Sequence, residues 1–164
     1  MSEHHPGSSD LTLERSHFTL ERTFDASPER VFRAFATREG LAAWWSPGAS
    51  VKTEIEAFDF REGGITKSIF AAPGRVFRNH LRYENIVPNR RIVAAMTMWH
   101  IDGATSSVLV ISVDFVPEGE GCRLVFGEHG AFLDGLESSK GHNAGFNYML
   151  DTLVAAVAAD AVAA

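Results

Sequence analysis

Sulfur chemistry is scarce in this chain. Cys122 is its one cysteine among 164 residues, so neither an internal disulfide nor a multi-cysteine zinc site is available. A reducing, cytoplasmic setting is the expectation. Basic charge is short too: 15 Lys and Arg stand against 21 Asp and Glu, a formal charge of −6. A net negative domain neutralises phosphates poorly, so nucleic acid is not an expected partner. Long apolar runs are missing as well. The longest, TLVAAVAADAVAA at 152–164, falls short of the ~18–20 residues of a membrane span, and Asp160 interrupts it. The opening MSEHHPGSSD lacks the apolar centre of a signal peptide. Residues 1–14 are expected to form a mobile arm, in which His4 and His5 are either solvated or a casual metal pair. The seven histidines show no His-x-x-x-His spacing, and no metal site is expected. Gly63-Gly64 lacks the Lys-Ser/Thr of a phosphate cradle, and no Gly-x-Ser-x-Gly elbow occurs. No cofactor is expected.

What is present is ordinary globular material: 45% hydrophobic and 22% charged residues, enough for one domain with one core, placed at 15–160. His17 to Phe24 alternates as a strand. Ser27-Pro28 opens a helix, Ser as N-cap and Pro in the first turn, with Val31, Phe32 and Phe35 at helical spacing. Gly40 ends it, and Leu41 to Trp45 reads as a second short helical turn. Strands follow at 52–60, 66–71, 80–87, 92–100, 108–116 and 123–128, each closed by a Pro, Gly or Asn signal, the pattern of an antiparallel meander. From about Glu137 to Ala159 the period turns helical. Phe146, Met149, Leu150, Leu153, Val154 and Val157 form an apolar stripe, and Asn143, Asn147 and Asp151 a polar one. The fold class is therefore α+β: a curved antiparallel sheet of six to seven strands wrapped round a long C-terminal helix, with two short helices after the first strand. A sheet of that many strands twists and curls. Its concave side exceeds what one helix fills, and the leftover volume predicts a pocket.

Three stretches carry a resemblance: FTLERTFDASPERVFRAFATREGLAAWW at 18–45, FDFREGG at 58–64, and YENIVPNRRIV at 83–93 followed by GCRLVFGEHGAF at 121–132. The order of elements resembles the helix-grip fold of the START/Bet v-like (SRPBCC) superfamily. The motifs are similar to the family of the C-terminal domain of the ninety-kilodalton heat-shock-protein ATPase activator, over about residues 17–158. The resemblance implies an internal cavity for a small apolar molecule. Other superfamily branches imply a cyclase- or hydrolase-like enzyme, and the activator family implies a chaperone partner. Gly145-Phe146 stands where that family shows Gly-Trp, and Cys122 where it often has Thr. The eukaryotic activator carries a further N-terminal domain that contacts the chaperone, and no such domain is expected within these 164 residues. Monomer and homodimer both remain open.

The expected ligand-facing residues are Trp44, Trp45, Phe60, Tyr83, Met96, Met98, His100, Glu128, Phe132 and Phe146. Trp44 and Trp45, placed on a helix, point about 100° apart, so at most one turns fully inward; each either packs or roofs a cavity. Met96, Met98 and His100 share a strand face, the adaptable apolar wall a ligand would want. Tyr83 has opposite parity to His80, so only one of them points inward. Glu128 shares its register with Leu124 and Phe126. It is either a buried carboxylate near the pocket mouth or a solvated strand end. Glu128 and His100 are the catalytic candidates, on condition that they reach the cavity with perturbed pKa values. Asp59 and Arg61 are either an ion pair or, through the Arg fork, an anion site. Lys52, Glu54 and Glu56 share parity with Phe58 and Phe60, a conflict that a bulge near Ala57 would resolve. Asn143, Asn147 and Tyr148 either offer polar contacts or form a solvated face. Cys122 has no positive helix end beside it and is not an expected nucleophile.

Overall fold

The computed structural model describes residues 13–163; His4, His5 and most of the expected arm lie outside them. The chain runs β1 (Glu14–Phe24), α1 (Pro28–Ala36), α2 (Arg38–Ala42), β2 (Lys52–Ala57), β3 (Ile65–Ala72), β4 (Arg75–Val87), β5 (Arg91–His100), β6 (Thr105–Glu118), β7 (Gly121–Phe132) and α3 (Ser139–Ala163). All seven strands form one antiparallel sheet in the order β1-β7-β6-β5-β4-β3-β2. β2 to β7 are joined in sequence. Only β1 is displaced, crossing to pair with β7. This is the expected helix-grip fold.

Local chemistry explains the helix starts. The Ser27 side chain accepts from the Arg30 amide, with Pro28 in the first turn, satisfying a donor the helix leaves free. Thr37 does the same for α2, accepting from Gly40 N at 3.0 Å. That cap moves α2 to Arg38–Ala42, upstream of the expected turn at Leu41–Trp45. The tryptophans therefore follow the helix instead of riding on it, and the expectation that at most one turns inward fails. Both are buried. Trp44 Nε1 donates to Ala34 O on α1 at 2.9 Å, and Trp45 Nε1 to Ser68 Oγ on β3 at 3.2 Å.

The sheet edges hold the other differences. β2 stops at Ala57 rather than Phe60, and the register slips between Ile55 and Ala57, the bulge that the parity conflict called for. Gly64 then closes the turn toward β3. A Cβ there would lie 2.1 Å from Asp59 O. β4 begins at Arg75, five residues before its expected start. β7 continues four residues past Glu128, to Phe132. Its Gly130 looks like a strand breaker but is required by the fold, since a Cβ would meet Val108 O at 2.2 Å.

α3 has 25 residues, about 37 Å of helix. Its buried face is Phe146, Met149, Leu150, Leu153 and Val157, with His142 one turn earlier. The polar stripe is not merely solvated. Arg22 of β1 donates to Asp151 Oδ1 at 2.9 Å and to Asn147 Oδ1 at 2.7 Å, tying α3 to the sheet edge. Tyr148 is exposed. Among the described residues, no helix is long and apolar enough to cross a membrane.

Candidate functional site

The sheet and the first half of α3 line a half-open cavity of about 380 Å³, inside the size range of small-molecule pockets. Its sheet wall is Phe70 of β3, Phe77 and Asn79 of β4, and Met96 and Met98 of β5. Antiparallel register places these together: Phe70 opposes Phe77, Asn79 opposes Met98, and Leu81 opposes Met96. The helix wall is His142, Gly145, Phe146 and Met149, spaced so that they share one face. Pro47 and Val51 close the side. Trp45 is a partition. Beyond it, toward α1 and α2, only a void of about 30 Å³ remains, lined by Phe35, Trp44, Tyr83 and their neighbours.

A polar chain runs along the helix side. Arg75 lies 3.7 Å from Glu137, and Glu137 lies 3.3 Å from His142 Nε2. His142 Nδ1 donates to Glu128 Oε2 at 3.0 Å, and Ser16 Oγ donates to Glu128 Oε1 at 2.9 Å. Burial opposes the charge on His142, but hydrogen bonds to Glu128 and Glu137 outweigh it. The pKa is pushed up from its ordinary 6.5 to about 9. The ring is an imidazolium at neutral pH, clamped between two carboxylates. Its edge meets Phe132, with centroids 4.6 Å apart. Asn79 differs from every other polar group in the wall. It is fully buried, and neither Nδ2 nor Oδ1 has a hydrogen-bond partner in the protein.

The expected residues divide by place. Trp45, Met96, Met98 and Phe146 line the cavity. Trp44 and Tyr83 line the small void beyond the partition. The Tyr83 hydroxyl lies 2.7 Å from Thr66 Oγ1, and burial pushes its pKa up to about 12 despite that bond. Phe60, His100, Glu128 and Phe132 line neither space. Phe60 packs edge-on against Phe32 and Tyr83. His100 lies at the sheet end, bonded to Asp134 and 5.0 Å from Phe77. Burial works against the Asp134 charge, yet bonds from the Leu136 amide and His100 hold its pKa down at about 2. Glu128 is fully buried behind His142, so the solvated reading of it falls. The strand does not end there, and its register keeps the side chain inward. Asp59 and Arg61 form an exposed ion pair at 3.0 Å. Burial pushes the Cys122 thiol pKa up, the opposite of what a nucleophile needs. Among the described residues, no cluster of His, Cys, Asp and Glu is arranged to hold a metal ion.

Sequence reasoning missed Asn79, Arg75, Glu137 and His142. Asn79 was within reach: it shares parity with Leu81 and Tyr83, so an earlier start for β4 puts a polar residue in the inward register. Glu128 and His142 lie 14 residues apart, joined only by the fold.

The family model for "activator of Hsp90 ATPase homolog 1-like protein" matches residues 25–158. The chain belongs to that family. Among solved structures, a Rhizobium loti protein is 36% identical, with a TM-score of 0.77 over 88% of this chain and 99% of its own. A Chromobacterium violaceum protein is 28% identical, with a TM-score of 0.75 over 87% and 96%. At 18% identity, a protein from Silicibacter pomeroyi bearing the activator-homolog name has a TM-score of 0.73 over 88% and 99%, a likeness of fold. No curated protein matches. The activator-homolog family match spans α1, the cavity and most of α3. It includes the Gly145-Phe146 pair, whose ring packs 4.4 Å from Phe126 while lining the cavity.

Proposed function

We propose that this activator-homolog domain binds a small, largely apolar molecule in the cavity under α3. Trp45, Met96, Met98 and Phe146 are its principal contacts. The observation that carries the reading is the 380 Å³ space with aromatic and thioether walls. Apolar burial of a guest there is favourable at about 25 cal/mol per Å² before association costs. Binding is favoured over catalysis by hydrogen-bond saturation. Both ring nitrogens of His142 already face carboxylates, which leaves that ring no nitrogen open to a substrate proton, and His100 is held by Asp134 through Nε2 at the sheet end, outside the cavity lining.

The test uses the neutral fluorophore N-phenyl-1-naphthylamine and the variant Gly145→Leu. A Cβ at Gly145 lies 3.4 Å from Pro47 Cβ, ordinary contact, and Leu suits a helix better than Gly. The variant is expected to stay folded, checked by its unfolding transition, and to obstruct the cavity beside Pro47. Fluorescence enhancement in the parent, lost in Gly145→Leu, is the expected result. No enhancement, or enhancement equal in both, overturns the reading.

The family name supports a second reading, stimulation of a chaperone ATPase. It requires that the protein at saturation raises the ATP turnover of the ninety-kilodalton chaperone; unchanged turnover ends it.

A further inference from the structure

Asn79 is a polar group placed where the fold gives it nothing to bond. Its neighbours along β4 on the same face are Phe77 and Leu81, both apolar. Across the sheet it lies between Ser68 of β3 and Met98 of β5. Ser68 Oγ accepts the Trp45 indole N–H and makes no hydrogen bond to the Asn79 amide, and Met98 has only a thioether to offer. The amide is fully buried, borders the cavity, and has neither donor nor acceptor satisfied by the protein. Buried amides are nearly always paired. Neither Nδ2 nor Oδ1 is open to the cavity as it stands, so pairing with a guest requires the amide to turn about its side-chain bonds into the space it borders.

Charge narrows the chemistry. The ionic groups near the cavity are Arg75 and His142 against Glu128 and Glu137, joined in one chain of ion pairs. The positive and negative members balance, so the cavity holds no spare charge for an ionised ligand. Asn79 presents a donor and an acceptor side by side. Its complement carries an acceptor and a donor side by side without charge.

We infer that the ligand is an apolar molecule with a neutral carboxamide-type end (an amide, lactam or urea), and that Asn79 reads that end by a paired hydrogen bond. The inference rests on the cavity reading given above. It makes Asn79 the specificity-determining residue of the site, with Met96, Met98 and Phe146 holding the apolar body.

Three probes of similar size separate the possibilities: 4-phenylbutanamide, the hydrocarbon n-pentylbenzene, and the anion 4-phenylbutyrate. Binding of each is measured by calorimetry or fluorophore displacement to the parent, to Asn79→Leu, and to Asn79→Val, the second suited to a strand. The parent is expected to favour the amide over both others by tenfold or more, since a ligand that cannot pair leaves a buried amide stranded. Either variant is expected to lose that preference while keeping or gaining affinity for pentylbenzene. An amide-to-hydrocarbon ratio unchanged by both substitutions overturns the assignment of Asn79 and leaves the cavity standing. Preference for the butyrate in the parent overturns the neutral-ligand assignment. No binding of any probe, with no fluorophore signal, overturns the cavity reading and this inference together.

Discussion

At one end of the concave face, α1 and α2 drive Phe32, Phe35, Trp44 and Trp45 against the sheet. Phe35 and Phe115 meet edge-on with centroids 5.2 Å apart, Phe32 and Phe115 at 5.3 Å. The void left there is about 30 Å³. At the other end, past Trp45, the same sheet faces the first turns of α3, with Pro47 and Val51 at the side, and the space is about 380 Å³. The two ends share one sheet and its strands β4 and β5. They differ in how many layers deliver side chains. Where two short helices add aromatic rings, the hollow closes; where α3 and the Pro47–Val51 segment cover the sheet, it stays open. The pocket of this fold is thus a matter of where α1 and α2 stop.

The largest effect is expected in the closed end. Phe115→Ala removes the ring at the centre of the aromatic cluster and costs about 3–5 kcal/mol of stability, measured by urea unfolding. Met98→Ala in the open end tests the same contrast from the other side. Its neighbours already border empty volume, so its cost falls to about 2 kcal/mol or less. Equal losses would mean that the two ends are packed alike.

The polar chain at the open end has its own signature. The His142 pKa is about 9 in the folded state against an ordinary 6.5. A raised folded value stabilises fully below about pH 6.5, and the contribution is lost as pH rises through about 9. Unfolding free energy is therefore expected to fall over that interval, with a slope of at most about 1.4 kcal/mol per pH unit. Glu128→Gln is expected to flatten the slope and to lower stability at pH 6 by about 2 kcal/mol, the worth of a charged hydrogen bond. A slope that persists unchanged in Glu128→Gln would assign the titration elsewhere.

The contrast between the ends also explains what could be read without coordinates. Periodicity and turn residues place the strands and α3, because both report on one repeating geometry. Even the bulge before Ala57 follows from the parity clash of Glu54 and Glu56 with Phe58 and Phe60. The site is less legible because its members are assembled by cross-strand register. Met96, Met98 and Phe146 stand out as apolar residues in the right phase. Glu128 looked like a strand end because Gly130 resembles a stop, and only the closeness of the Val108 carbonyl shows why a glycine belongs inside β7. Trp44 and Trp45 misled because one capping threonine shifts α2 upstream and frees both rings to turn inward. His142 carries no local signal, since its partners Glu128 and Glu137 come from strand β7 and the loop before α3.

The methionines supply the most direct measurement. Of the four in the chain, Met96, Met98 and Met149 line the open end, while Met1 lies far along the sequence from all of them. Methyl spectra of the carbon-13-methyl-methionine protein, titrated with 4-phenylbutanamide, should show three resonances moving together to saturation and the Met1 resonance unmoved. Three stationary resonances at a concentration that displaces the fluorophore would contradict the claim that this hollow is where a guest resides.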